Sequence, residues 1–203
     1  MGKTVGSGAP GTVLHQLVVA LLVKENVDYT KVNFVNVGSA TDSFKAIVAG
    51  TVDAGVADND IFDHQDKYGV HALTEGGFWD ALPEYTNQAM YASDQMIAEK
   101  RETLVRCMAA YAKMYRFIQS PNSFEAWRKA RAKALGKNEH EEALSQWTFF
   151  QNPQRLARDL VLDQKRIDYV QDLNVRLGIQ PSILPYEQVA DMSLARDALK
   201  LLE

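Results

Sequence analysis

The sequence is poor in cysteine and has no long apolar run. Cys107 is the single cysteine among 203 residues, so no disulfide can form within the chain. The longest apolar stretch, residues 13–23, contains His15 and Gln16 and is shorter than the roughly 20 residues that span a bilayer. These absences exclude a disulfide-stapled miniprotein and a transmembrane helix, and we expect a soluble chain of one domain or a small pair.

Positive charge is also scarce. The 26 acidic side chains outnumber the 22 basic ones, and the formal charge of −4 gives no general attraction for polyanions. We therefore expect no nucleic-acid partner. The residues after Met1 also lack the basic and apolar regions of a secretory signal peptide.

The two halves of the chain differ in composition. Residues 1–98 hold 5 basic and 12 acidic side chains and ten of the 12 glycines, whereas residues 99–203 hold 17 basic and 14 acidic side chains. Glycine concentrates where tight turns join short elements. We therefore predict a region of many short elements at residues 3–95 and a helical C-terminal region at residues 96–203.

Hydrophobic periodicity gives the fold class. Residues 32–37 alternate as a strand does, and the apolar side chains of residues 13–22 recur at helical spacing. Strands that alternate with helices are typical of βαβ units and a mostly parallel sheet, so the fold class is α/β. The predicted strands are 3–6, 32–37, 52–57, 71–74 and 87–92. The predicted helices are 13–22, 39–48, 62–68, 94–119, 122–135, 139–150, 166–177 and 189–202.

A glycine-rich turn lies between the first strand and the first helix. Residues 6–11 match the pattern GxGxxG, and such a turn can bind phosphate because free backbone N–H groups and the helix dipole point at one spot. A dinucleotide site also needs an acidic residue at the end of the second strand, which reads Asn36-Val37-Gly38. Two interpretations remain, namely a helix N-terminus open to a small ligand and a plain strand-to-helix turn.

Acidic residues follow the third predicted strand. Asp58, Asp60, Asp63 and Asp66 do not have the spacing of a calcium loop, and a role as helix caps and solvated side chains is the simpler interpretation. Asp58 and Asn59 nevertheless come at the carboxyl end of a strand, where α/β proteins bind their ligands. The sequence thus offers Asp58 and Asn59 as candidate ligand contacts.

Other reactive side chains are dispersed. The four histidines lack a zinc-binding spacing, so we predict no metal site and no cofactor. Cys107 lies beside Met108 in an amphipathic pattern, which predicts a buried, inert thiol. Trp79, Tyr85 and Tyr91 either stack on a ligand or fill a core. No clustered nucleophile or acid/base pair is present, so the sequence does not favour an enzyme.

Three stretches together resemble a known family. They are the turn 6–12 that opens a helix, residues 44–57 with their Gly50-Thr51-Val52-Asp53-Ala54 core, and residues 85–118, where a predicted strand leads to a long helix. Their order resembles the second lobe of type II periplasmic binding proteins, in particular the nitrate/taurine-type solute receptors of ABC importers. Those receptors are related to proteins that bind thiamine precursors.

The resemblance implies a receptor that closes two lobes around a small-molecule solute, and residues 3–95 would form one of them, an α/β ligand-binding lobe. Its partner would be the membrane permease of an ABC importer in the full-length protein, and its location would be periplasmic, or extracellular and membrane-anchored. The turn would hold an anion or polar group, the start of the next helix would lie on the same side, and the segment after the third strand would line the hinge-facing wall. The implied site residues are Ser7, Pro10, Gly11, Thr12, Ser39, Thr41, Asp58 and Asn59.

The sequence also departs from this family, because a first lobe and an export signal normally precede the position of Lys3. We therefore expect a fragment, a truncated product or a changed role, with weak or no ligand binding by the isolated chain. Apolar surface left by the missing lobe would favour self-association. An enzyme of thiamine or menaquinone precursor synthesis on the same fold and a ligand-sensing module remain as alternatives.

Overall fold

The computed structural model describes residues 2–58, 61, 64–73, 77–86, 88–136 and 140–203. They form two compact units. Unit 1 comprises Met1–Asn87 and Lys165–Leu184, and unit 2 comprises Gln88–Gln164 and Pro185–Glu203. The division predicted at residue 96 differs in that a later segment, from Lys165 to Leu184, belongs with the first unit. Periodicity along the chain reports local structure, so it could not place that segment.

Unit 1 contains a parallel three-stranded sheet. Strands β1 (Thr4–Ser7), β2 (Asn33–Asn36) and β3 (Ala54–Gly55) are arranged in the order β2-β1-β3. Val5 pairs with Phe34 on one side and with Ala54 on the other. The α/β class is confirmed, with a smaller sheet than predicted.

Five helices of the described residues belong mainly to unit 1. They are α1 (Val13–Lys24), α2 (Ala40–Val48), α3 (Gln65–Tyr68), α4 (Phe78–Ala81) and α8 (Gln164–Arg176), and a 3₁₀ turn covers Tyr29–Lys31. The core of the unit joins Val19 and Ala20 of α1 to Leu82, Tyr85 and Leu173. The buried side of α1 also carries His15 and Gln16, whose polar groups have hydrogen-bond partners within the unit.

Unit 2 is helical in its described residues. It contains α5 (Asp94–Ile118), α6 (Phe124–Leu135), α7 (His140–Gln151), α9 (Tyr186–Val189) and α10 (Ser193–Lys200). Its core joins Val105, Ala109 and Ala112 of α5 to Leu194 and Ala198 of α10. The Arg101 guanidinium lies 2.7 Å from the Asp197 carboxylate and ties the same two helices.

Four predictions of local structure were wrong. Residues 88–92 and 71–73 are not strands, because a β-type pattern makes a strand only where a neighbouring strand pairs with it. The predicted helix 189–202 is interrupted, since Ala190 is extended and the Asp191 carboxylate accepts the Ser193 N–H at 2.8 Å. Cys107 is exposed rather than buried, because the core face of α5 runs through Val105, Ala109 and Ala112.

Candidate functional site

The carboxyl ends of the three strands meet at one edge of the sheet. β1 and β2 end at Ser7 and Asn36, which are paired, and β3 ends at Gly55 beside Gly6. Each strand therefore delivers its following segment, residues 8–12, 37–39 and 56–58, to the same edge. In open α/β sheets this edge is the usual place for a ligand.

Hydrogen bonds to the Ala9 carbonyl close the glycine-rich turn 8–12. The Ala9 carbonyl accepts both the Thr12 N–H at 3.0 Å and the Thr12 hydroxyl at 2.7 Å. Gly11 has a φ of +84°, in the left-handed region that glycine enters without a steric cost. The Ser7 hydroxyl is fully buried and donates to the Gly8 carbonyl. These bonds are the ones a tight strand-to-helix turn requires.

His15 fixes this turn from within α1. Its Nδ1 accepts the Gly11 N–H at 3.3 Å, and its ring packs edge-on against Phe34 with centroids 4.8 Å apart. Burial lowers the pKa of His15, because the charged imidazolium loses hydration there. The neutral ring with an unprotonated Nδ1 is thus the form that holds the turn.

The start of α2 is capped by its own residues. The Ser39 hydroxyl oxygen accepts the Asp42 N–H at 3.1 Å, and the hydroxyl donates to the Asp42 carboxylate at 2.6 Å. The hydrogen bond from Ser39, followed by that from Lys45, lowers the pKa of Asp42. Ser39 is the N-cap of α2, and the Asp42 carboxylate already offsets the positive end of this helix.

Small residues let α2 approach the sheet closely. A Cβ at Gly55 would lie 2.3 Å from the Ser43 Oγ and 2.9 Å from the Gly6 carbonyl oxygen. Ser43 is fully buried and its hydroxyl donates to the same carbonyl at 3.3 Å. This close packing brings the first residues of α2 to the edge where β3 ends.

The segment Gly50-Thr51-Val52-Asp53-Ala54 links α2 to β3. Gly50 follows the helix in a left-handed conformation with φ of +69°, and the Thr51 hydroxyl donates to the Ala46 carbonyl. The Asp53 carboxylate accepts the Lys3 ammonium at 2.7 Å and the Thr4 N–H at 2.8 Å. These two hydrogen bonds lower the pKa of Asp53. Through these hydrogen bonds, the segment 50–54 holds β3 in alignment with β1.

A cavity of about 210 Å³ lies at this edge of unit 1. Its first wall comes from α1 and is made of Val13, Leu14 and Leu17. A second wall combines the first residue of α2 with the segment after β3, and it consists of Ala40, Val56, Ala57 and Asp58. The third wall, formed by α4 and the residues after it, consists of Phe78, Trp79, Leu82 and Tyr85. Most of the lining residues have apolar side chains, nearly half of the exposed lining surface is polar, and Asp58 is the described residue among them that carries a charge.

A smaller cavity of about 110 Å³ adjoins the first. It shares Ala57 and Asp58 with the larger cavity, and its other lining residues are Thr41, Phe44, Ile61, His64 and Tyr68. The rings of Phe44 and Tyr68 meet edge to face at 5.2 Å. Asp58 therefore lies at the boundary between the smaller cavity, with Phe44 and Tyr68, and the larger one.

The third wall of the larger cavity is held in place by a buried hydrogen-bond relay. The Tyr85 hydroxyl donates to Gln16 at 2.8 Å, and the Gln16 amide donates to Asn174 of α8 at 2.6 Å. Burial, and to a smaller extent the neighbouring Tyr169, raises the pKa of Tyr85 to about 12. The ring of Tyr85 can therefore line the cavity while its hydroxyl remains neutral and paired.

Comparison with known proteins identifies the family. The model of the family described as NMT1/THI5 like matches residues 1–123, which is more than half of the chain and includes both cavities. The chain belongs to the NMT1/THI5-like family. This is a family of type II periplasmic binding proteins, so that part of the resemblance is confirmed. Searches of curated proteins and of solved structures returned no significant match.

The eight site residues predicted from the sequence do not all lie at the cavities of this NMT1/THI5-like chain. It brings Asp58 to both cavities and Thr41 to the smaller one. Asn59 lies outside the described residues. The five others line neither cavity: Ser7 is the last residue of β1, Pro10, Gly11 and Thr12 lie in the turn, and Ser39 caps α2.

Sequence reasoning missed half of the wall that α4 and the residues after it provide. Trp79 and Tyr85 were offered as ligand-stacking or core residues, and Tyr85 is both buried and part of the cavity wall. Tyr91, the third of these aromatics, is 98% exposed. No sequence pattern marked Leu82 as a site residue. The signal that could have marked Phe78 is the aromatic pair Phe78-Trp79 directly after Gly77, at the start of a short helix.

The described residues hold neither a cluster of metal ligands nor a helix that could span a membrane. Within the described residues, no three His, Cys, Asp or Glu side chains come together as a set of metal ligands. No helix in the described part of the chain combines the length and the apolar character needed to cross a bilayer.

Proposed function

We propose that this chain is a solute-binding protein and that its ligand occupies the cavity where the three parallel strands of unit 1 end. The observation that carries this proposal is the cavity itself, a recess of about 210 Å³ with walls from α1, α2 and α4 at the carboxyl edge of the sheet. Ligand sites are concave and combine apolar residues with a few fixed polar groups, and this recess joins mostly apolar residues with Asp58.

The size of the cavity limits the ligand to a small solute. Pockets for drug-sized ligands have volumes of roughly 300–1,000 Å³, and both cavities together reach only the lower end of that range. Small ligands gain at most about 1.5 kcal/mol per non-hydrogen atom, and usually much less. We therefore expect affinities in the micromolar to millimolar range for unit 1 by itself.

Membership of the family extends the proposal to transport. We propose that the chain acts as the substrate-binding component of an ABC-type importer of the nitrate/taurine kind, in the periplasm or on the extracellular face of the membrane. Its partner is then the membrane permease of that importer. The support for this part is the match of residues 1–123 to a family of type II periplasmic binding proteins.

A cavity-filling variant tests the proposal. Ala57 lines both cavities, so Ala57→Phe places a ring in the ligand space. Ala49→Phe is the matched control, because Ala49 is exposed at the C-terminal end of α2 and lines neither cavity. Small anions, sulfonates, amines and pyrimidines are screened by thermal shift, and positive solutes are confirmed by calorimetry.

We expect at least one solute to raise the melting temperature of the wild-type chain and of Ala49→Phe but not of Ala57→Phe. Circular dichroism shows that each variant is folded. No stabilisation by any solute, or stabilisation that survives in Ala57→Phe, contradicts a binding site in this cavity. Recovery of a bound solute in chemically altered form would instead support an enzyme.

A further inference from the structure

The charge and ring content of the two adjoining cavities favour one class of ligand. Among the described residues that line them, Asp58 is the only Asp, Glu, Lys or Arg, and it belongs to both linings. We infer that the solute is a small organic cation, an ammonium group on a compact apolar body, with the ammonium at Asp58. This inference deepens the proposed function and rests on it.

The aromatic residues around Asp58 suit a cation. The smaller cavity presents Phe44 and Tyr68, and the larger one presents Trp79. The face of an aromatic ring attracts a cation, most strongly when the cation is partly desolvated. The Lys67 ammonium already lies 5.0 Å from the centroid of the Tyr68 ring, so a ligand cation at that ring would meet a competing positive charge.

The body of the ligand would occupy the larger cavity. Leu14, Leu17 and Leu82 offer apolar surface there, and Trp79 offers a flat ring. An ammonium beside Asp58 forms charge-assisted hydrogen bonds, which are roughly twice as strong as bonds between neutral groups. A ligand with an apolar body and an ammonium group would thus place the body against the apolar residues of the larger cavity. Its charge would then lie at Asp58, which borders both cavities.

The wider electrostatics point in the same direction. Unit 1, which comprises residues 1–87 and 165–184, holds 13 acidic and 8 basic side chains, and this net negative charge attracts cations and repels anions over several ångströms. The positive end of α2 is offset by the Asp42 carboxylate in its first turn. The start of α1 has no acidic residue in its first turn, so an anion at α1 is the alternative that the experiment must compare.

Three probes of one shape separate these possibilities. Benzylamine, benzyl alcohol and benzoate share a ring and differ in the charge of the substituent. Calorimetry is carried out on the full chain and on Asp58→Asn, with Asp42→Asn as the control. Asp42→Asn removes the same charge from unit 1, but Asp42 lines neither cavity. Ala57→Phe reports whether a probe binds in the cavity at all.

We expect benzylamine to bind at least about fivefold more tightly than benzyl alcohol and benzoate. Asp58→Asn should weaken benzylamine by about fivefold or more and leave benzyl alcohol within about twofold, whereas Asp42→Asn should change neither much.

Two results separate the failure of this inference from the failure of the proposed function. Binding of benzoate or benzyl alcohol at least as tight as that of benzylamine, lost in Ala57→Phe, leaves the solute site standing and overturns the cationic ligand. An unchanged benzylamine affinity in Asp58→Asn overturns it as well. No binding by any of the three probes at millimolar concentration overturns the cationic ligand, whereas the proposed function falls only if no solute of the thermal-shift screen stabilises the chain.

Discussion

The Tyr85 hydroxyl donates a 2.8 Å hydrogen bond to the Gln16 side-chain carbonyl, and both residues are more than nine-tenths buried. The bond joins α1 to the segment that follows α4. Because Tyr85 also lines the larger cavity, this one pair holds two of the cavity walls at a fixed separation.

Replacing Tyr85 with phenylalanine tests that relationship. Tyr85→Phe keeps the ring but leaves the Gln16 oxygen without this donor, so we expect a loss of about 1–3 kcal/mol in the free energy of unfolding. Urea denaturation measures the loss. Tyr91→Phe is the control, since Tyr91 is 98% exposed, and equal stabilities for the two variants would show that the buried bond contributes nothing.

Alkaline pH should weaken the fold through the same residue. Burial raises the pKa of Tyr85 to about 12, whereas an unfolded tyrosine ionises near pH 10. The unfolded state therefore loses its proton first, and stability falls as the pH rises from about 10 to about 12. Urea midpoints measured across this range should fall less steeply in Tyr85→Phe than in the wild-type chain. Parallel curves would contradict the raised pKa.

Acid should act on the glycine-rich turn through His15. Its pKa is lowered by burial, so the unfolded state binds a proton before the folded state does, and the stability that His15 contributes is lost as the pH falls below about 6.5. Protonation of Nδ1 also removes the acceptor of the Gly11 N–H.

NMR spectroscopy can follow both groups together. The His15 ring should titrate with a midpoint below 6.5, and the Gly11 amide resonance should shift with the same midpoint. His15→Gln should abolish the shift of Gly11 in this pH range. A Gly11 resonance that does not follow the ring would show that the hydrogen bond is not formed in solution.

Close packing of α2 on the sheet should make Gly55 intolerant of any side chain. Gly55→Ala places a Cβ 2.9 Å from the Gly6 carbonyl oxygen, and the backbone must shift to relieve that contact. We expect a loss of about 1–3 kcal/mol in the free energy of unfolding. Adding Ser43→Ala removes the second contact and should recover only part of the loss, because the clash with the backbone remains. Full recovery would assign the cost to Ser43 alone.

The exposure of Cys107 can be checked by thiol labelling. The cysteine lies on the solvent-facing side of α5, so a maleimide or aromatic disulfide reagent should react with the native protein nearly as fast as with the urea-unfolded protein. A labelling rate more than about tenfold slower in the native protein than in the unfolded protein would instead support the buried thiol that the sequence pattern predicted.

Local signals in the sequence were sufficient for several elements. Ser39 followed by Asp42 predicts a helix start because both partners of the cap lie within four residues, and the cap is present. Gly50 and Gly136 end helices with positive φ, as their positions after apolar helical patterns indicated. Asp58 was reached from its place after a strand, and it lines both cavities.

Features that depend on distant residues could not be predicted in this way. Residues 88–92 have the composition of a strand, but the sheet offers them no partner in the described structure. Phe78 and Leu82 become cavity walls only because α4 packs against α1, and nothing in a short window of sequence reports that packing. The same limit applies to α8, whose Leu173 completes the core of unit 1.

Unit 1 is assembled from two stretches of chain, and this has a consequence for biosynthesis. Leu173 and Asn174, which complete its core and its buried relay, leave the ribosome only after residues 88–164 have been made. At about 5–20 residues per second, the first stretch waits roughly 4–15 s for them. During this interval, chaperones would encounter a nascent chain in which one side of α1 is exposed. A recombinant fragment that ends at residue 123, where the family match ends, would lack Leu173 and Asn174 altogether, so that side of α1 would stay exposed.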